Sequence, residues 1–152
     1  MKILMVCLGN ICRSPLAEGI MKDKIAQQKL NWTVDSAGTG SWHIGSKPDS
    51  RSIAVAQQHH IDINDQRGRQ FTAADFNKFD KIFAMDSENY QNIIKLAPDE
   101  ESKNKVALIM NQADPGRNQS VPDPYWDDNG FEKVYQMLDK SCSAFIQKQT
   151  QN

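Results

Sequence analysis

The sequence predicts an α/β fold in three layers, with a four-stranded parallel sheet between two layers of helices. Short apolar runs typical of buried parallel strands alternate along the chain with segments whose apolar residues recur at helical spacing. The chain has 152 residues, of which 39% are hydrophobic and 24% charged, as expected for a globular protein with a full core. We therefore expect residues 1–152 to form a single domain.

The amino-terminal part of the chain predicts two strands with one helix between them. The first strand is the apolar run at residues 3–6. Ser14 can cap the helix, and Pro15 suits its first turn because a missing N–H costs nothing there. The second strand is expected at residues 32–37. Residues 38–49 contain three glycines and a proline and therefore predict a loop.

The middle of the chain predicts two helical segments before the third strand. Ser50 or Ser52 starts a helix that ends near His60. A short helical turn is expected at residues 72–79, and the apolar residues 81–85 predict the third strand.

The next segment predicts a helix, the fourth strand and a long loop. Asp86 or Ser87 caps the helix, whose apolar residues lie on one face. Residues 98–105 predict a charged surface connection, and residues 106–110 predict the fourth strand. Residues 111–129 are rich in Asp, Pro, Gly and Asn and predict a loop.

The last helix is predicted by a single apolar stripe. Its members are Phe131, Val134, Tyr135, Leu138, Cys142, Phe145 and Ile146. Cys142 is therefore expected in the core. The glutamine-rich tail, residues 147–152, is expected to fray.

The loop after the first strand carries most of the functional information. Residues 7–15 read Cys-Leu-Gly-Asn-Ile-Cys-Arg-Ser-Pro. Ligands of parallel sheets bind beyond the carboxyl ends of the strands, where Cys7 is expected. Loop N–H groups, the helix start and Arg13 suit a phosphate dianion and favour the thiolate of Cys7. Gly9 and Asn10 tolerate unusual backbone angles, and the Ser14 hydroxyl can donate to the sulfur.

A proton donor is expected in the Val-Pro-Asp-Pro-Tyr-Trp run at residues 121–126. Two prolines hold Asp123 on a stiff loop, and the neighbouring aromatic residues can exclude part of the water. Partial burial would favour the protonated carboxyl that a general acid needs. The pattern predicts that Cys7 attacks phosphorus and that Asp123 protonates the leaving oxygen.

Both motifs resemble the low-molecular-weight protein tyrosine phosphatases, and the likeness extends in order over nearly the whole chain, including residues 35–38 and 79–86. The resemblance implies a flavodoxin-like fold, one low-molecular-weight phosphatase-like domain over residues 1–152, a cysteinyl-phosphate intermediate, and neither metal nor other cofactor. It implies that Cys7 is the nucleophile, Arg13 the phosphate clamp and Asp123 the general acid.

The same resemblance implies substrate-binding roles for the rest of the loop and for an aromatic cleft. These residues are Leu8, Gly9, Asn10, Ile11, Cys12, Ser14, Trp42, Tyr125 and Trp126. Asn10 and Ser14 would also brace the loop, with Ser36 behind them.

Two residues depart from the family pattern. Trp126 stands where many members have a second tyrosine that is a regulatory phosphorylation site, so that control is not expected at this position. Gln66 stands where members often have a histidine that supports the Asn10/Ser14 network. An amide still forms hydrogen bonds, so activity is expected with altered bracing.

The expected substrates are phosphotyrosine-containing proteins and small aryl phosphates. A net charge of −1 and the lack of a long apolar segment argue against nucleic-acid and membrane partners. The N-terminus lacks the features of a signal peptide, and three cysteines argue for thiols rather than a disulfide framework. We therefore expect a cytoplasmic protein, as a monomer or weak dimer.

Alternative functions stay open at this point. A thiol-dependent arsenate reductase uses the same loop, but it relays oxidation to further cysteines, and none lies between Cys12 and Cys142. An arginine phosphatase of the same fold favours a threonine where Ile11 stands and a less aromatic cleft. A non-catalytic phosphate-binding module would need neither Cys7 nor Asp123.

Cys12 has two alternative roles. With Cys7 it has a spacing that zinc ligands allow, but no second cysteine pair completes such a site. A reversible disulfide between the two cysteines would shield Cys7 from over-oxidation.

Overall fold

The computed structural model describes residues 1–151 and confirms the α/β prediction. One four-stranded parallel sheet has the order β2-β1-β3-β4. Its strands are β1 (Lys2–Cys7), β2 (Thr33–Gly38), β3 (Lys81–Ala84) and β4 (Val106–Leu108). The helices are α1 (Arg13–Gln27), α2 (Ser50–Gln58), α3 (Asp75–Lys78), α4 (Ser87–Leu96), α5 (Glu100–Asn104) and α6 (Phe131–Thr150).

Strand β1 supplies both faces of the sheet with core residues. Ile3 and Met5 pack into one apolar cluster with α1, α2 and α6. Leu4 and Val6 alternate with them and pack into a second cluster with α3 and α4. Both sides of the strand are therefore buried, which explains why its sequence is a continuous apolar run.

The strand order puts the end of β1 at the switch point of the sheet. The chain leaves β1 toward β2 on one side, and β3 pairs with β1 on the other. A crevice opens where neighbouring connections diverge in this way, beyond the carboxyl ends of the strands. Cys7 is the last residue of β1 and lies at this crevice.

The start of α1 differs from the prediction that Ser14 caps it. The helix begins at Arg13, and Cys12 occupies the cap position without a side-chain hydrogen bond. The Ser14 hydroxyl instead lies 3.0 Å from Sγ of Cys7. Pro15 is in the first turn, as predicted.

Two other helix starts are capped by aspartates. Helix α2 begins at Ser50, which confirms one of the two predicted starts, and Asp49 caps it by accepting a hydrogen bond from the N–H of Arg51. Asp86 caps α4 by accepting from the N–H of Asn89, which confirms one of the two predicted caps.

The segment around β4 departs most from prediction. Residues 98–105 include helix α5, whose cap Asp99 accepts from the N–H of Ser102, so the prediction of a plain connection was wrong. The charged surface of so short a helix hides its periodicity. Strand β4 ends at Leu108, and a 3-10 helix, Ile109–Gln112, replaces the last two residues of the predicted strand and the first two of the predicted loop.

Helix α6 continues through most of the tail that was predicted to fray. It ends at Thr150, and Asn152, the last residue of that tail, lies outside the described residues. Cys142 is fully buried on the apolar stripe, as predicted. Within residues 1–151, none of the helices has the length and apolar character needed to cross a membrane.

The packing of α6 predicts a large stability effect at Leu138, which is fully buried. Leu138→Ala removes buried methyl groups and leaves a cavity, so we expect the free energy of unfolding to fall by about 2–5 kcal/mol in urea titrations. Leu96→Ala is the matched control, because Leu96 is 49% exposed, and should change stability by no more than ~0.5 kcal/mol. Equal losses in the two variants would contradict the assigned core.

Candidate active site

Asn10 holds the opening loop, residues 7–14, in its closed shape. Its backbone is left-handed, with φ of 58°, which asparagine tolerates better than most residues. Its N–H donates to Sγ of Cys7 (3.3 Å), and Nδ2 donates to the hydroxyls of Ser14 (2.8 Å) and Ser36 (3.0 Å). Its Oδ1 accepts from the N–H of Arg69 at 3.0 Å. One buried side chain therefore joins the loop to α1, β2 and the segment before α3.

Gly9 has a different role from the predicted one. The left-handed residue is Asn10, whereas Gly9 provides space: a Cβ there would lie 3.1 Å from Cδ2 of His43. Gly38, at the end of β2, meets the loop in the same way, because its Cβ would lie 2.7 Å from the carbonyl oxygen of Leu8. The loop is therefore packed closely from two sides.

The opening loop surrounds Cys7 with hydrogen-bond donors. Among residues 1–151, no protein acceptor is hydrogen-bonded to the backbone N–H groups of Leu8, Gly9, Ile11 and Cys12. Free N–H groups of this kind, next to the amino-terminal end of a helix, attract an anion. The arrangement can bind a tetrahedral oxyanion against the sulfur.

Arg13 is buried beside Cys7 and is held by one edge. Its Nη1 donates to Oδ2 of Asp86 (2.7 Å) and to the carbonyl of Val121 (2.9 Å). Its Nε and Nη2 donate to no acceptor within the described chain, so this edge can bind two oxygens of an anion. Burial acts to lower the pKa of Arg13, but the charges of Cys7 and Asp86 outweigh it and raise that pKa.

Asp86 is a site residue that the sequence analysis recognised only as a cap. Its Oδ1 accepts from the N–H of Asn89, while its Oδ2 orients Arg13. Because Asp86 follows β3, and β3 pairs with β1, the carboxylate meets the loop after β1. A polar residue directly after a strand next to β1 was the available signal.

Asp123 enters the site from the opposite side, on the Asp123 loop, residues 123–128. Its Oδ2 lies 4.0 Å from Nη2 of Arg13. Its Oδ1 accepts from the N–H of Tyr125 at 3.1 Å and caps the 3-10 turn Pro124–Trp126. The Asp123 side chain is 44% exposed, so its burial is partial, as expected. The neighbouring Trp126 is itself exposed.

A cleft of about 180 Å³ lies above Cys7, between the opening loop and the Asp123 loop. It is lined by Cys7, Leu8, Gly9, Ile11, Cys12, Arg13, Trp42, His43, Asp123, Tyr125 and Trp126. Trp42 and Trp126 stand at its mouth with 72% and 89% of their surface exposed. His43, which the sequence suggested as a possible substrate contact but more readily as a solvated loop residue, also lines the cleft.

Two of the predicted substrate-binding residues do not line the cleft. Asn10 and Ser14 are buried behind the opening loop. Their side chains contact each other, Cys7 and Ser36. They therefore shape the loop from behind, as the resemblance also implied.

A buried carboxylate completes this bracing. Glu18 is only 3% exposed, and it accepts hydrogen bonds from Ser36 Oγ (2.7 Å) and from Nζ of Lys22 (2.7 Å). Burial raises the pKa of Glu18, and these two donors partly offset that effect. Glu18 is thus linked through Ser36 and Asn10 to the loop that holds Cys7.

Gln66 does not take part in this network. Its Nε2 donates to the carbonyl of Pro15 at 3.1 Å, and its Oε1 is buried without a hydrogen-bond partner in residues 1–151. The Asn10 side chain instead accepts its third hydrogen bond from the N–H of Arg69. Gln66 therefore supports the first turn of α1 rather than the side chains of Asn10 and Ser14.

The three cysteines are free thiols in different surroundings. Burial raises the pKa of Cys12 to about 12, with the charges of Asp49 and Cys7 adding to the effect. Burial also raises the pKa of Cys142 to about 12. The disulfide between Cys7 and Cys12 stays a prediction. No group of three or more His, Cys, Asp or Glu residues in the described part of the chain is arranged to hold a metal ion.

Comparison with known proteins gives a consistent result. The family model described as low molecular weight phosphotyrosine protein phosphatase matches residues 2–152. A low molecular weight phosphotyrosine protein phosphatase of Schizosaccharomyces pombe is 41% identical over 145 residues, which cover 92% of each chain.

Solved structures agree over nearly full length. The protein tyrosine phosphatase of Entamoeba histolytica superposes with a TM-score of 0.91 at 39% identity, covering 98% of this chain and 96% of the other. A Drosophila arginine phosphatase superposes with a TM-score of 0.90 at 34% identity, covering 100% and 99%.

The site predicts selective alkylation of Cys7. Iodoacetate is an anion that the opening loop can bind, whereas Cys12 and Cys142 have pKa values raised to about 12 and stay protonated at pH 7. Mass spectrometry should therefore find the label on Cys7 alone. Inorganic phosphate at ten times its Kd should slow labelling about tenfold by occupying the loop. Cys7→Ser is the control and should take no label; labelling of Cys12 at a similar rate would contradict the assigned environments.

Proposed function

The chain belongs to the low molecular weight phosphotyrosine protein phosphatase family, as a hydrolase of phosphotyrosine, and we propose that it works through a cysteinyl-phosphate intermediate. The observation that carries this mechanism is the environment of Cys7. Its sulfur accepts from the N–H of Asn10 and lies against the Ser14 hydroxyl, in a loop of unpaired N–H groups. Arg13 and Asp123 line the same cleft.

In the first step, the Cys7 thiolate attacks phosphorus and the ester P–O bond breaks. The loop N–H groups and the free edge of Arg13 bind the phosphoryl oxygens as their charge is redistributed. Asp123 gives its proton to the phenolate oxygen of the leaving tyrosine, so a neutral phenol departs. Sulfur then carries the phosphoryl group.

In the second step, water attacks the cysteinyl phosphate. Asp123, now ionised, accepts a proton from that water. The P–S bond breaks and its electron pair returns to sulfur. A hydrogen bond from the Ser14 hydroxyl stabilises the departing thiolate, and inorganic phosphate leaves.

An aryl ring suits the walls of the cleft. Ile11, Trp42, Tyr125 and Trp126 offer apolar and aromatic surface above the phosphate site. The similar arginine phosphatase makes phosphoarginine the competing substrate. A guanidinium group would gain less than a phenyl ring from the Ile11 side of the cleft, so we propose phosphotyrosine and small aryl phosphates.

The composition and net charge of the chain support proposals for its domain organisation, its location and its oligomeric state. We propose that residues 1–152 act as one domain, in the cytoplasm, as a monomer or weak dimer. A net charge of −1 supports protein substrates rather than nucleic acid or membrane surfaces.

Substrate comparison tests the proposed function. Purified protein should hydrolyse a phosphotyrosine peptide with a kcat/KM at least about tenfold above that for the matched phosphoserine or phosphoarginine peptide, because one lost aryl contact is worth ~1–3 kcal/mol. Phosphate release is the measurement. Cys7→Ser should abolish turnover while keeping the fold by circular dichroism. Undiminished turnover in that variant would exclude Cys7 as nucleophile, and faster phosphoarginine hydrolysis would favour the alternative.

Asp123→Asn tests the proton donor. It should lower kcat/KM for phenyl phosphate by ~10²–10⁴-fold, because the phenolate is a poor leaving group without a proton. On 2,4-dinitrophenyl phosphate, whose leaving group needs no proton, the loss in kcat/KM should be far smaller. Asp127→Asn is the matched control on the same loop and should leave both values near wild type. Equal losses on both substrates would show that Asp123 is not the acid.

A further inference from the structure

Arg51, in the first turn of α2, spans from the opening loop to the Asp123 loop. Its Nε donates to Oδ1 of Asp49 and its Nη2 to Oδ2, both at 2.9 Å. Its Nη1 donates across the gap to Oδ1 of Asp128, the last residue of the Asp123 loop, at 2.5 Å. The three donors thus fix the plane of the guanidinium between two elements.

The residues around Arg51 at the start of α2 are hydrogen-bonded to the opening loop. The N–H of Asp49 donates to the carbonyl of Ile11 at 2.8 Å. The Ser52 hydroxyl donates to the carbonyl of Cys12 at 3.2 Å. The hydrogen bonds from Arg51 lower the pKa of Asp49, which keeps the carboxylate charged. The start of α2 is therefore hydrogen-bonded to the loop that holds Cys7.

On the side of the Asp123 loop, the Arg51 guanidinium packs against two aromatic rings. The Arg51 guanidinium carbon lies 5.5 Å from the ring centre of Tyr125 and 4.7 Å from that of Phe131. Tyr125 follows Asp123 by two residues, and its N–H is bound to the Asp123 carboxylate. A cation over two rings adds attraction on the side of the loop that carries Asp123.

The Asp123 loop has few other attachments. Hydrogen bonds within residues 123–130 are local, such as that from Asp127 N–H to the carbonyl of Pro124. In the part of the chain that the structure describes, Arg51 is the one side chain outside this loop that forms a hydrogen bond to it. Arg13 reaches Asp123 only at 4.0 Å.

We propose that Arg51 is a positioning residue, which holds Asp123 at the height from which it protonates the leaving group above Cys7; this rests on the proposed function. Arg51 does not line the cleft, so it acts through Asp128 and Tyr125 rather than on the substrate. Without it, no side chain elsewhere in residues 1–151 forms a hydrogen bond to the loop that carries Asp123. A displacement of about 1 Å of a catalytic group costs up to ~10²-fold in rate.

The test distinguishes a loss of proton donation by Asp123 from damage to the opening loop that holds Cys7. Arg51→Ala should lower kcat/KM for phenyl phosphate roughly 10- to 100-fold, while the value for 2,4-dinitrophenyl phosphate changes by no more than about twofold. Asp128→Asn should show the same pattern with a smaller loss. Arg51→Lys, which lacks the planar fork, should not restore the wild-type value. Arg117→Ala, at an exposed arginine after β4, is the matched control and should match wild type.

A double-mutant cycle decides whether the effect passes through Asp123. In the Asp123→Asn background, Arg51→Ala should cause no further loss beyond about twofold on phenyl phosphate. Equal losses on both substrates, or a full additional loss in the Asp123→Asn background, would overturn the role of Arg51. Those outcomes leave the proposed function intact if wild type hydrolyses both substrates and Cys7→Ser does not. An inactive wild type, or an active Cys7→Ser, would overturn the proposed function instead.

Discussion

A loop that binds an anion through backbone N–H groups must stay open when no anion is present, and here Asn10 meets that constraint. The N–H groups of Leu8, Gly9, Ile11 and Cys12 have no protein acceptors in residues 1–151, so the loop gains nothing from them in its own folding. The four hydrogen bonds of Asn10 compensate, each contributing about 0.5–1.5 kcal/mol net. They fix the loop against α1, β2 and the segment before α3. The left-handed backbone of Asn10 also places its own N–H against Sγ of Cys7.

The same hydrogen-bond network explains why a charged residue, Glu18, can be buried next to the site. Glu18 is an acid inside the protein, and its charge is tolerated because Lys22 and Ser36 both donate to it. Ser36 in turn accepts from Asn10, so the carboxylate sets the orientation of the hydroxyl that supports the loop. Sheet topology makes the network possible, because β1 is central and brings β2 and α1 to the same end. The buried polar groups and the strand order therefore both position the opening loop around Cys7.

Much of this arrangement was predictable from sequence, and the remainder has a common cause. The strand end at Cys7, the helix containing Pro15 and the apolar stripe of α6 depend on local patterns, which a sequence displays directly. Asp86 and Arg51 were missed as site residues because their partners lie far away in the chain. Helix α5 was missed because its charged surface resembles a loop. The role of Gly9 depends on where the ring of His43 lies, and no local pattern contains that information.

The opening loop is held by more hydrogen bonds than the Asp123 loop, and this difference has a mechanistic consequence. The opening loop is held by several buried hydrogen bonds, whereas Asp123 precedes a 3-10 turn in which only Pro124 is buried and whose loop receives one side-chain hydrogen bond from elsewhere in residues 1–151, that of Arg51. Phosphate binding needs fixed donors, because their electrostatic effect depends on costing no reorganisation during reaction. Proton transfer needs a carboxyl that reaches oxygens on differently shaped substrates and then admits water for the second step. In the proposed mechanism, a firmly held loop below and a more lightly held carboxyl above satisfy both requirements, and the exposed rings of Trp42 and Trp126 stand at the mouth of the cleft, where a protein-borne tyrosine would enter.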